Sequence, residues 1–409
     1  MFLKKSKDTS KLIDNVFNIS LLANKAKKDG KEIINATLGS LYDENNTLVT
    51  LKSFYNSYKN LDNITLAKYS SSITGNIEYK NTIKEFVLED KFKNLKAKVI
   101  ATSGGTGAIY LAINNLLDPY QKIIIPDIGW TNYETIAKEN NLSIIKYQMF
   151  DEDNNFNLKS LKEKIIDSLS TQNKALLIIN SPLHNPTGYT IKEKDIKELV
   201  RFINNDCNNK EVIILNDIAY IDYSFNLNTA KNYFSILDTL NSNALLVLTY
   251  SCSKTFTAYG MRLGALIFLH KEESILEYLF NAFNKSCRSI YSNINNGAMM
   301  NVVNVLLNHK KEFLEEKDYY INLLKKRASI FIKEAKDNNL DLYPYDEGFF
   351  ITLKINSNNL DKYHNILLKN NIYTIKVHNG IRIALCSLSL KDSLKLPKIL
   401  KELLNKVKD

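Results

Sequence analysis

The stretch Ser103-Gly104-Gly105-Thr106-Gly107-Ala108 follows a short strand-like run at 98–101 and opens a helical stretch at 109–117. A glycine-rich turn between strand and helix lets backbone N–H groups converge on an anion, and the helix dipole adds to the attraction. Phosphate binding is one chemistry such a turn allows; a plain tight turn, for which glycines also serve, is the other reading. Four further clusters combine polar, aromatic and charged groups: Pro126-Asp127-Ile128-Gly129-Trp130, His184-Asn185-Pro186-Thr187-Gly188, Asp217-Ile218-Ala219-Tyr220 and Ser251-Cys252-Ser253-Lys254, with Arg262 eight residues beyond the lysine. Singly, each has a plain structural reading as a solvated lysine, a capping aspartate, a core tyrosine or an ion-paired surface arginine. Their placement in the chain is what distinguishes them.

Each cluster follows a short apolar run rich in β-branched or aliphatic residues, at 122–125, 176–179, 212–215 and 245–248, and a fifth run lies at 265–268. Between most of these runs lie stretches of helical periodicity, such as 191–202. Strands apolar on both faces and separated by helices imply an α/β fold: a mainly parallel sheet with helices on both faces. Ligands bind such sheets at the carboxyl ends of the strands, where these clusters fall. From about 300 the pattern changes to a long helical stretch, 301–336, followed by mixed strands and helices, which reads as a smaller α+β domain. Residues 1–45 carry a helix and a strand-like Glu32-Ile33-Ile34-Asn35 but no core of their own, so they are expected to pack on that domain. The expected division is therefore a large domain over 46–299 and a small one from 1–45 with 300–409.

The net charge of +10 comes from lysines spread along the chain beside acidic and apolar neighbours, a pattern of solvated helix faces and not of a nucleic-acid-binding patch. The opening residues have charges but no apolar run of signal-peptide length, and no segment approaches a membrane span. The four cysteines, Cys207, Cys252, Cys287 and Cys386, form no C-x-x-C pair or metal-ligand spacing. A reducing, cytoplasmic setting is expected, with Cys252 read as a small buried hydrophobe.

The segment at 184–188 resembles the asparagine–proline loop of fold-type I aminotransferases. The order Asn185, Asp217, Tyr220, Ser251, Lys254 and Arg262 resembles the cofactor set of the class I/II pyridoxal-phosphate-dependent branch, and the resemblance runs from about residue 30 to 388. It implies pyridoxal 5'-phosphate as cofactor, with Lys254 as the Schiff-base and proton-transferring lysine. Asp217 would keep the ring nitrogen protonated, and Asn185 and Tyr220 would hold the ring hydroxyl as an anion. Arg262, Ser251, Ser253 and the Gly105-Thr106 turn would take the phosphate. Trp130 matches the aromatic residue that stacks on the ring, and Tyr69 resembles the tyrosine that reaches the neighbouring subunit's phosphate.

For substrate, Gly380-Ile381-Arg382-Ile383-Ala384 resembles the strand whose arginine binds the α-carboxylate, and Phe350 resembles the opposite wall. Gly39, within Asn35-Ala36-Thr37-Leu38-Gly39-Ser40, resembles the segment that closes over substrate. Arg288 in Arg288-Ser289-Ile290-Tyr291-Ser292-Asn293 resembles the arginine that crosses the dimer interface to a side-chain carboxylate. The implied enzyme is a homodimer with shared sites that exchanges an amino group between an amino acid, aspartate or glutamate first and aromatic donors second, and a 2-oxo acid. Two rivals share the motifs: a carbon–sulfur lyase of the same fold and a non-catalytic regulator. The regulator is disfavoured because no helix-turn-helix appendage accompanies the fold.

Overall fold

The computed structural model describes residues 2–4, 15–207 and 209–408; most of the charged opening segment lies outside them. Twelve strands are found among the described residues: β1 (Ile34–Asn35), β2 (Lys96–Thr102), β3 (Lys122–Pro126), β4 (Ser143–Tyr147), β5 (Lys174–Asn180), β6 (Glu211–Asp217), β7 (Ala244–Ser251), β8 (Gly264–His270), β9 (Phe350–Lys354), β10 (Ile372–Tyr373), β11 (Ile375–Val377) and β12 (Gly380–Ala384).

Seven of them form the main sheet, in the order β2-β8-β7-β6-β5-β3-β4. Neighbours from β7 to β4 pair in parallel, whereas β8 runs antiparallel to both β7 and β2. The mainly parallel expectation therefore stands, with the run at 265–268 as the reversed strand. Helices cover both faces, and the side chains divide accordingly. Ile124, Leu177 and Ile214 join one core, while Ile123, Ile125, Leu176 and Ile213 join the other. Alternation buries successive residues on opposite sides, which is why these strands read as continuous apolar runs.

A smaller additional domain holds the antiparallel sheet β11-β12-β9. β1 pairs in parallel with β10, Ile34 opposite Ile372, so the N-terminal strand is joined to the C-terminal part of the chain. The long helix expected over 301–336 is two helices, Asn296–Asn308 and Lys310–Asp337. His309 separates them because its backbone, at φ −128° and ψ 19°, leaves the α region. No helix among the described residues is long and apolar enough to cross a membrane.

Pairing puts the functional clusters side by side. Asn180 at the end of β5 is in register with Asp217 at the end of β6, which in turn is opposite Thr249 on β7. Parallel strands bring their carboxyl ends to one edge, and this edge carries the site.

Candidate active site

Asp217 ends β6 and is buried. Its Oδ2 accepts a 2.6 Å hydrogen bond from the Tyr133 hydroxyl, and its Oδ1 accepts from the Ala219 amide at 3.1 Å. Burial raises its pKa above the ordinary carboxyl value, and the Tyr133 hydrogen bond pulls in the opposite direction. The neighbouring Asn180 donates from Nδ2 to the Asp217 carbonyl at 2.7 Å and accepts from the Asn185 amide at 2.7 Å. One side chain thus couples the β6 end to the asparagine–proline loop.

Asn185 Oδ1 accepts from Arg382 Nη1 at 3.3 Å. Arg382, on β12 and buried, also donates from Nη2 to the Thr37 carbonyl at 2.6 Å, and its guanidinium lies 4.5 Å from the Phe350 ring centre. Tyr220 meets the same phenylalanine edge-on, with ring centres 5.6 Å apart. Burial pushes the Tyr220 phenol above its usual range, against the pull of Arg382 and of a hydrogen bond from Asn185.

Lys254 sits in a four-residue helix, Cys252–Thr255, directly after β7. Its Nζ donates to the Gly39 carbonyl at 2.6 Å and stands over the rings of Tyr220 and Tyr259. Desolvation pushes the amine down to about 8, with the Arg382 and Arg262 guanidinium groups acting in the same direction. Gly39 leaves no room for a side chain, since a Cβ there would lie 2.7 Å from Phe350 Cζ and 3.6 Å from Lys254 Nζ. Tyr259 holds this segment in place by accepting from the Leu41 amide at 2.9 Å.

The glycine-rich turn closes the opposite end. It leads into the Gly104–Leu116 helix, whose first turn holds Gly105 and Thr106. A Cβ on Gly104, at φ +72°, would meet Arg262 Nη2 at 2.5 Å, and one on Gly105 would meet Ser251 Cβ at 3.1 Å. Arg262 Nη1 donates to Ser253 Oγ at 3.1 Å and to the Tyr259 carbonyl at 2.9 Å. A helix N-terminus, two hydroxyls and a guanidinium therefore converge, the arrangement that holds a phosphate.

Trp130 is half-buried and meets Tyr133 edge-on at 5.4 Å. Cys252 is buried, with its thiol pushed up to about 12 by desolvation, as the small-hydrophobe reading expected. Tyr69 and Arg288 stand apart from these groups. Tyr69 is 84% exposed, and Arg288 is exposed near the end of the Glu273–Ile290 helix, where its Nη1 donates to Ser292 Oγ at 2.7 Å. Their segments nevertheless dock on each other, the Ser70 amide donating to Asn293 Oδ1 at 2.8 Å. Sequence reasoning missed Tyr133, Tyr259, Asn180 and the Thr37 carbonyl. Tyr133 lies three residues beyond Trp130, Asn180 directly after the 176–179 run and Thr37 within the segment around Gly39, so each had a local signal; Tyr259 had none.

Residues 31–396 match the model of the family described as aminotransferase class I and II. Among curated proteins, the chain is 25% identical to the histidinol-phosphate aminotransferase of Methanococcus maripaludis over 72% of each chain. It is 28% identical to the aspartate aminotransferase of Sulfurisphaera tokodaii over 65% of this chain and 61% of that enzyme's length. Among solved structures, an aminotransferase from Anaerococcus prevotii superposes with a TM-score of 0.94 at 29% identity, covering 98% of this chain and 99% of that one. The aromatic-amino-acid aminotransferase of Burkholderia pseudomallei, covalently bound to pyridoxal phosphate, superposes at 0.78 with 18% identity over 98% of this chain and 100% of that one, a likeness of fold. With the glycine turn, Asp217, Lys254 and Arg262 gathered at one sheet edge, the chain belongs to the class I and II aminotransferases, the pyridoxal-phosphate-dependent transaminases of fold type I.

Proposed function

We propose that this enzyme moves an amino group between an α-amino acid and a 2-oxo acid in two half-reactions, with aspartate or glutamate as the preferred donor. Arg382 carries the amino-acid part of this reading: it is buried, held by Thr37 and Asn185, and set over Phe350 beside the Lys254 segment, while the aspartate or glutamate preference is supported by the resemblance around Arg288. A planar guanidinium fixed in this way is a receptor for the α-carboxylate, which orients Cα toward the lysine.

The residues fit pyridoxal phosphate. The turn whose glycines leave space beside Arg262 and Ser251 suits the phosphate, with Ser253 and Thr106 completing the set. Asp217 is the buried acid for the ring nitrogen, Trp130 the stacking partner, and Asn185 and Tyr220 the pair for the ring oxygen. When bound, the cofactor supplies an electron sink for the charge left when substrate loses its Cα proton. Lys254 Nζ would hold the cofactor, and would take the Cα proton from the substrate and return it in the other half of the exchange. Its lowered basicity suits both tasks. Gly39 and Phe350 close the substrate side. Tyr69 and Arg288 are assigned to the site of a second copy in a homodimer, a reading supported by their exposure and by the docking of their segments. The large domain is assigned to 46–299 and the small one to 1–45 with 300–409. Four buried free thiols suit a reducing cytoplasm.

The test is a single-turnover experiment on purified holoenzyme mixed with one amino acid at a time. Aspartate and glutamate should each discharge the lysine-bound cofactor absorption with one equivalent of 2-oxo acid released, and a 2-oxo acid should restore it. Ammonia or thiol release from cystathionine without that reversible exchange would replace this reading with the lyase.

A further inference from the structure

The stretch from Tyr250 to Thr255 carries Ser251, Ser253 and Lys254 through the junction of β7 with the Cys252–Thr255 helix. A helix of four residues does not hold its own shape, and this one has no side-chain cap at its start. Its position is set from outside. Asp222, 4% exposed in the short helical turn Ile221–Tyr223, places one carboxylate oxygen against both ends of the stretch. Oδ2 accepts from the Tyr250 hydroxyl at 2.9 Å, immediately before Ser251, and from Thr255 Oγ1 at 2.7 Å, immediately after Lys254. Ser251 to Lys254 are thus enclosed between two donors to a single oxygen.

A buried carboxylate needs opposing charge. Burial alone would raise the Asp222 pKa, but the ammonium groups of Lys317 and Lys231, Lys317 the stronger, hold it below the ordinary carboxyl value. Lys317 is 1% exposed on the Lys310–Asp337 helix, and with Asp222 and Lys231 it lines one cavity beside Phe86 and Leu314. The same helix braces the lysine stretch a second time. Phe313, one turn before Lys317, stacks on Phe256 with ring centres 4.8 Å apart and 20° between the planes, and Phe256 lies two residues after Lys254. We propose that Asp222 is a positioning residue for the reaction, fixing through Thr255 and Tyr250 the place from which Lys254 reaches the cofactor, a role that rests on Lys254 being the lysine that holds it. A charged acceptor binds its hydroxyl donors more strongly than a neutral one, and a displacement of about 1 Å at a reacting nitrogen can slow a reaction by about a hundredfold.

Asp222→Asn would strand the Lys317 charge inside the protein, so the test uses Thr255. Thr255→Val keeps the branched shape and removes the donor, whereas Thr255→Ser keeps the donor and removes a methyl group. Each apoenzyme is mixed with pyridoxal 5'-phosphate at one fixed pH, capture is followed by stopped-flow absorbance, and the melting temperature is measured alongside. Thr255→Val should capture at least about tenfold more slowly than the parent, and Thr255→Ser should stay within about threefold of it even where its melting temperature drops as far. Tyr250→Phe, which removes the other donor, should slow capture in the same direction and decides the matter if Thr255→Val does not fold. Capture unchanged in both Thr255→Val and Tyr250→Phe, or slowed as much in Thr255→Ser as in Thr255→Val, would overturn the proposal. Capture persisting in Lys254→Ala would instead overturn the lysine assignment, an outcome the Thr255 pair cannot produce.

Discussion

Tyr133 donates its hydroxyl proton to Asp217 Oδ2 across 2.6 Å inside the protein, so the carboxylate assigned to the cofactor's ring nitrogen is itself held by a phenol from the Asn132–Glu139 helix. Burial favours the neutral acid and the phenol favours the anion. Removing the phenol in Tyr133→Phe therefore raises the Asp217 pKa further, and the carboxylate becomes protonated at a higher pH. The acid limb of the kcat/KM profile should move upward in pH, and kcat near neutrality should fall by about tenfold. Asp217→Ala, which removes the charge altogether, should lose about a thousandfold or more. A Tyr133→Phe profile that overlays the parent would remove the supporting role.

The Lys254 amine, pushed from 10.5 down to about 8, makes a prediction for the apoenzyme. Only the uncharged amine attacks the cofactor's carbonyl, and a depressed pKa means that this form dominates above pH 8. Between pH 7 and 9 the rate of cofactor capture should rise by about tenfold and then level off, whereas an ordinary lysine would gain about a hundredfold and keep climbing. Stopped-flow absorbance measures this directly. Lys254→Ala should yield no borohydride-fixed cofactor on any lysine peptide; recovery of such a peptide would reassign the lysine.

Gly104 combines φ +72° with a Cβ position only 2.5 Å from Arg262 Nη2, so Gly104→Ala both strains the turn and displaces the guanidinium. Cofactor affinity measured by equilibrium dialysis should drop by about 1–3 kcal/mol. Gly30→Ala is the control, because its φ is +77° but nothing lies within 4 Å of the added carbon. That variant should lose some stability and keep its cofactor.

Among the described residues, Arg288 has only Ser292 Oγ as its side-chain partner, and its segment meets that of Tyr69. If it reaches a second copy's substrate, Arg288→Ala should lower kcat/KM for aspartate and glutamate by about 3 kcal/mol or more and leave phenylalanine nearly unchanged. Mixed dimers of Arg288→Ala and Lys254→Ala chains should regain part of the activity, since one site then carries both lesions and the other neither. Equal losses for charged and uncharged donors would point instead to an aromatic or sulfur amino acid.

What could be read from the sequence was what chain order preserves. Asn185, Asp217 and Lys254 follow closely on runs of apolar residues that can only be buried strands, and parallel strands all deliver their C-terminal neighbours to one edge. The glycine turn was legible for the same reason, being a local strand-to-helix junction. The rest depended on folding together segments with no fixed spacing between them. Tyr133 finds Asp217 across 84 positions, Tyr259 finds Leu41 across 218, and Arg382 finds Thr37 across 345. The reversal of β8, the break at His309 and the burial of Lys317 beside a cavity likewise left no periodic trace. Periodicity records which face of an element is buried; it does not record which distant element covers that face, and the partners of a buried polar group are set by that second choice.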